Sequence, residues 1–157
     1  MTRFPSQNKL LKGFVVFGLM SFAGIVNFNY RLILPTFAHE VEVSGDVAAT
    51  FHLEPNHNPK AGETAQVWFA LTRRGGAIIP LEQCNCKLAV YRQPRQAEDS
   101  PMMTPTLKAI SAEKYQGIPG ADVIFPQAGS YELELSGTPK TEANFQPFKL
   151  SYSVTVR

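Results

Sequence analysis

The 157-residue chain carries 15 Lys and Arg against 13 Asp and Glu, a formal net charge of +2, and is 44% hydrophobic and 18% charged. That balance excludes a disordered polyelectrolyte and describes a globular chain. The basic excess belongs to residues 1–38, which hold Arg3, Lys9, Lys12 and Arg31 and no acid; the remaining eleven basic residues face thirteen acidic ones, a net of −2, so nucleic-acid binding loses its electrostatic basis.

The chain opens with a basic stretch, MTRFPSQNKLLK, followed by a largely apolar run of sixteen residues, GFVVFGLMSFAGIVNF, over 13–28. This is the pattern of a signal peptide. Thr36-Phe37-Ala38 offers a cleavage site with small residues at −3 and −1, which divides the chain into a leader, 1–38, and a single domain, 39–157. The alternative is an uncleaved anchor, since the segment between the apolar run and Ala38 is long and contains Arg31. Either way the domain is expected outside the cytoplasm, with any membrane association confined to residues 13–38.

Residues 39–157 suffice for one domain with a proper core and are too few for two. Twelve prolines and eleven glycines in the chain predict many turns and short strands. Alternation begins at once: "HEVEVS" places His39, Val41 and Val43 on the expected core face and Glu40 and Glu42 on the wet one. "VAATFHL" aligns Val47, Ala49, Phe51 and Leu53, with His52 opposite. "AQVWFALTR" aligns Val67, Phe69 and Leu71, with Trp68 opposite, covering a second apolar contact or lying at an edge.

Arg73-Arg74-Gly75-Gly76 predicts a hairpin leading into "AIIPL" and then "NCKLAVY", where Cys86, Leu88 and Val90 share a face. Residues 93–105 read as a loop, and "TPTLKAISAEKYQ" as a strand near Leu107 to Ile110 followed by a turn. In "GIPGADVIFPQAGSYELELSG" the glycines and prolines fall at turn positions without phosphate-loop spacing. The clearest strands come last: Tyr131, Leu133 and Leu135 face away from Glu132 and Glu134, and Phe148, Leu150, Tyr152, Val154 and Val156 form one row. Seven to nine short strands without an amphipathic helix predict an all-β fold, an immunoglobulin-like antiparallel sandwich.

Three histidines, His39, His52 and His57, lie within nineteen residues, and none follows. Cleavage after Ala38 would give His39 an α-amine beside its imidazole, two nitrogen donors that suit copper(II). Taken singly, His52 reads as a solvated residue on a polar strand face and His57 as a loop residue. Cys84 and Cys86 admit three readings: a local disulfide, for which an extended strand would need a turn or bulge at Asn85; two packed thiols; or soft ligands for copper(I) with Met102 or Met103. A zinc ribbon fails for want of a second cysteine pair, and no nucleophile sits in a catalytic pattern.

"FHLEPNHNPKAGETAQVWFALT" and "FPQAGSYELELSG" resemble bacterial exported immunoglobulin-like domains of the YtkA and CopC kind, in which a Pro-x-Ala-Gly-Glu turn enters a central strand and a Gly-x-Tyr strand returns late. The resemblance implies copper bound by a histidine at the mature N-terminus, matched by His39, and by a second histidine late in the domain, which this chain lacks. The resulting expectation is a non-enzymatic envelope module that binds another envelope or membrane protein and needs no cofactor. The alternative is a copper-handling protein using His39, His52 and His57, or Cys84 and Cys86; a third reading is an oxidative copper enzyme built on His39.

Overall fold

The computed structural model describes residues 40–140 and 143–157, so the leader, its cleavage site and His39 lie outside the described residues. The described residues form one compact unit. Eight strands are present: β1 (Glu40–Ser44), β2 (Val47–Glu54), β3 (Thr64–Arg73), β4 (Cys84–Arg92), β5 (Lys108–Ala112), β6 (Tyr115–Ile124), β7 (Gly129–Pro139) and β8 (Phe148–Val156). One antiparallel sheet runs β1-β2-β3-β6-β5 and the other β4-β7-β8. The fold is therefore the expected β-sandwich.

Alternation dictates the core. Phe51, Leu53, Phe69 and Leu71 from one sheet meet Leu88, Leu133, Leu135 and Tyr152 from the other, all at most 2% exposed. Aromatic contacts join the layers: Phe51 stacks on Tyr152 at 4.7 Å, and the Tyr152 hydroxyl donates to the Ala49 carbonyl at 3.1 Å. Tyr131, two residues into β7, donates its hydroxyl back to the Gln127 carbonyl at 2.8 Å, the tyrosine corner common in immunoglobulin-like sandwiches.

Four sequence expectations are corrected. In β1 the parity is reversed: Glu40 pairs with Phe51, Glu42 with Ala49 and Ser44 with Val47, so the acidic row shares the inner side and Val41 and Val43 face out. The cause is the two-residue turn Gly45-Asp46, with Gly45 at φ +63°, because a hairpin's loop length sets register and a one-residue slip flips every side chain. Polar contacts hold β1 over β8: Ser44 Oγ accepts from the Lys149 amide at 3.4 Å, and Asp46 Oδ1 from the Gln146 amide at 2.9 Å. Burial and then the neighbouring Glu42 raise the Glu40 carboxyl above its ordinary pKa.

The second correction concerns "AIIPL", which is no strand. After the Gly75-Gly76 turn a single bridge forms between Thr72 and Ile78; Ile79 then donates to Leu71 and is buried, and Pro80 ends the pairing as the chain crosses to the other sheet. Third, the glycine- and proline-rich "YQGIPGADVI" is a central strand, β6. Its pairing with β3 stops at Gly120, so Pro119 lies where only β5 is a neighbour, a position that tolerates a missing amide donor.

Finally, Glu132 and Glu134 occupy the predicted outer face yet are largely covered. Arg95, from the loop between β4 and β5, reaches Glu132 at 2.5 Å and Glu134 at 3.2 Å while its guanidinium stacks 3.8 Å over Tyr91. Gln93 donates to the other Glu132 oxygen at 2.6 Å, and Lys149 pairs with Glu134 at 3.0 Å.

Candidate functional site

The outer surface of the five-stranded sheet is not the solvated face that alternation implies. Trp68 points away from the core and is nevertheless only 2% exposed. It forms a second apolar cluster with Ala70 and Ile118, against which Ile110, Ala112 and Tyr115 pack. Gly120 pairs with Trp68 across the ladder and permits this layer: a Cβ there would stand 2.5 Å from Ile110 Cδ1.

His52 closes the other side of that cluster. It is the cross-strand partner of Trp68, and the two rings stack at 4.7 Å with planes 16° apart. Two residues on, hence on the same strand face, Glu54 accepts a hydrogen bond from His52 Nε2 at 2.8 Å. The chain then turns through Pro55-Asn56-His57, with Asn56 at φ +56° and His57 at φ +51°, left-handed conformations for which Asn and His are among the better suited residues. The His57 amide donates to the Leu53 carbonyl at 2.9 Å. This reversal brings His57 Nε2 to 3.2 Å from His52 Nδ1, with the ring edge-on to Phe51 at 5.9 Å.

The tautomers follow from the partners. A carboxylate can only accept, so His52 Nε2 carries hydrogen and its Nδ1, in the neutral ring, presents a lone pair. His57 Nε2–H is then the donor between the rings. Sequence reasoning placed both histidines correctly on an outer face and in a loop but did not foresee Glu54 or the stack on Trp68. The i, i+2 spacing of His52 and Glu54 was the available signal for the first.

Cys84 and Cys86 lie on the other sheet and are joined in a disulfide. The expected turn or bulge at Asn85 does not occur, since Cys84, Asn85 and Cys86 pair in unbroken register with Pro139, Thr138 and Gly137. Instead the strand contracts, with a Cα separation of 5.1 Å against roughly 6.5 Å for an extended i, i+2 pair. Gly137 makes room: a Cβ there would sit 2.7 Å from Cys84 Sγ and 2.6 Å from the Phe148 ring. An open groove beside the disulfide is lined by Lys87, Thr106, Leu107, Ser136 and Lys140. Of the five sequence-selected ligands, the structure thus joins His52 on β2 to His57 in the turn after it, and Cys84 to Cys86 on the other sheet. Among the described residues no group of three or more His, Cys, Asp or Glu side chains is placed to hold a metal ion.

A third feature lies at the sheet edge. Val41 and Val43 are 55% and 67% exposed, and among the described residues no strand pairs with the outer edge of β1.

No protein-family model and no curated protein matches this chain. Among solved structures, it is similar to "as isolated" FetP of uropathogenic E. coli strain F11, recombinantly expressed in the periplasm of E. coli BL21(DE3), with a TM-score of 0.52 at 14% identity over 75% of this chain and 93% of that one. What the two share is a β-sandwich. A DUF4426 family protein from Pseudomonas aeruginosa PAO1 aligns with a TM-score of 0.46 at 10% identity, over 74% of this chain and 97% of that one. At 14% identity the likeness to FetP extends to the fold alone, and the resemblance to YtkA and CopC domains is supported only to that level.

Proposed function

We propose that this chain is a non-enzymatic binding module of the cell envelope, working outside the cytoplasm through contact with another envelope or membrane protein. The observation that carries the reading is β1, a sheet edge with two adjacent valines turned outward, 55% and 67% exposed. Such an edge suits strand addition, in which a partner supplies backbone hydrogen bonds along the edge and apolar side chains over the valines. Glu40 and Glu42 lie on the inner side of β1, the face on which a paired partner strand would set some of its own side chains. The acidic row also favours a partner segment that carries basic residues.

The extracytoplasmic placement draws on the leader pattern and on the disulfide, which belongs in a compartment that oxidises thiols. The fold likeness to FetP recovered from a periplasm is consistent with it. Among the described residues no helix is long and apolar enough to cross a membrane.

Replacing both Val41 and Val43 with Lys tests the reading. Wild-type chain in gently solubilised envelope extract is expected to migrate within an assembly larger than itself, and the double variant as the free chain with an unchanged melting temperature. A wild type that migrates alone, or a variant that keeps its assembly, overturns it.

A further inference from the structure

We propose that His52 and His57 chelate one divalent late first-row transition metal ion, with copper(II) bound most tightly and Glu54 orienting the first of the two rings. The proposal stands independently of the docking reading. It also separates the two halves of the sequence expectation, because it uses neither His39 nor the disulfide-bonded cysteines.

Distance comes first. Two imidazole nitrogens bound to one ion at ~2.0–2.1 Å, with an angle of roughly 90–110° between them, lie ~2.9–3.4 Å apart. His52 Nδ1 and His57 Nε2 are 3.2 Å apart. The separation fits one ion bound by both nitrogens once each ring tilts so that its lone pair points at the ion and not along the N···N line.

A metal-binding histidine commonly donates its other ring N–H to a carboxylate, which fixes the tautomer and makes the free nitrogen a better donor. The Glu54 Oε1 contact at 2.8 Å does this for His52 and leaves Nδ1 as the ligand. The Trp68 stack, with ring planes 16° apart, restrains the plane of the imidazole. His57 is held by its own turn and by the edge of Phe51. Binding requires the His57 Nε2 proton to leave to solvent, so the affinity falls as pH is lowered.

Two neutral nitrogens suit copper, nickel and zinc far better than calcium or magnesium, and the order of affinities places copper(II) first. Two ring nitrogens fill only part of such an ion's coordination shell, and the rest is supplied by water or by a donor from a partner.

The test uses the full chain, stripped of metal and titrated with Cu²⁺. Trp68 is the chain's single tryptophan and stacks on His52, so its fluorescence reports copper at this pair. Saturable quenching at one equivalent is expected. His57→Ala should weaken binding at least ~10-fold and Glu54→Gln by ~10–100-fold, with far-UV circular dichroism confirming that each variant is folded. Joint replacement of Cys84 and Cys86 by Ser should leave the titration unchanged. Quenching that does not saturate, or a folded His57→Ala variant with the wild-type midpoint, overturns the proposal.

Discussion

Gly137 shows how a single backbone position carries the disulfide. It faces Cys86 across the ladder, and a methyl group there would intrude on both Cys84 Sγ and the Phe148 ring. Gly137→Ala is therefore expected to destabilise the domain by about 1–3 kcal/mol, the usual cost of forcing an extra methylene into a packed site; the loss of melting temperature measures it. The disulfide itself closes a loop of only three residues. In the chain-entropy account so short a loop stabilises by only about 1–2 kcal/mol. The Cys84→Ser, Cys86→Ser double variant should consequently unfold in urea at a modestly lower midpoint with an unchanged slope; collapse of the cooperative transition would show that the bond does more than shorten the unfolded ensemble.

At the scale of elements, the loop between β4 and β5 is fastened across the second sheet by Arg95. Its hydrogen bond to Glu132 is the main reason that this carboxyl stays below its ordinary value of 4.5. A lowered folded-state pKa means that the ionised form favours the folded state. The contribution is full above pH 4.5 and is lost as pH falls through the lower folded value. Urea unfolding of wild type and Arg95→Ala at a series of pH values should show a gap that is constant near neutrality and narrows in acid. A gap independent of pH would assign the effect of Arg95 to packing over Tyr91 instead.

The elements also show what alternation can reveal. β2, β3, β7 and β8 read correctly because their inward rows are long and apolar, from Val47 to Leu53 and from Phe148 to Val156. β1 misled because Val41 and Val43 alternate with Glu40 and Glu42 in a pattern that is sound in either parity; the Gly45-Asp46 turn decides it, and that depends on pairing between strands. β6 was hidden by Gly117, Pro119 and Gly120, whose reasons are tertiary: the end of the β3 ladder and the space needed by Ile110. The histidine cluster was visible as a count, but the approach of His57 to His52 depends on two consecutive left-handed residues that no periodicity announces.

The whole molecule brings three features together without merging them. One sheet carries an apolar outer layer around Trp68 and, at its end, the two facing histidines. The other carries the disulfide and the charge network around Arg95. At the margin of the sandwich, β1 presents valines outward and acids inward. On the proposed reading, the β1 edge, unpaired among the described residues, is completed by another chain.

Site-specific photo-crosslinking in living cells tests that claim most directly. A photoreactive residue at Val43 is compared with one at Thr155, exposed on the outer face of the opposite sheet. The account predicts one discrete adduct with an envelope or membrane protein from position 43, absent from position 155 and abolished when Val41 is replaced by Lys. Equal labelling from both positions, or no adduct from position 43, would contradict it.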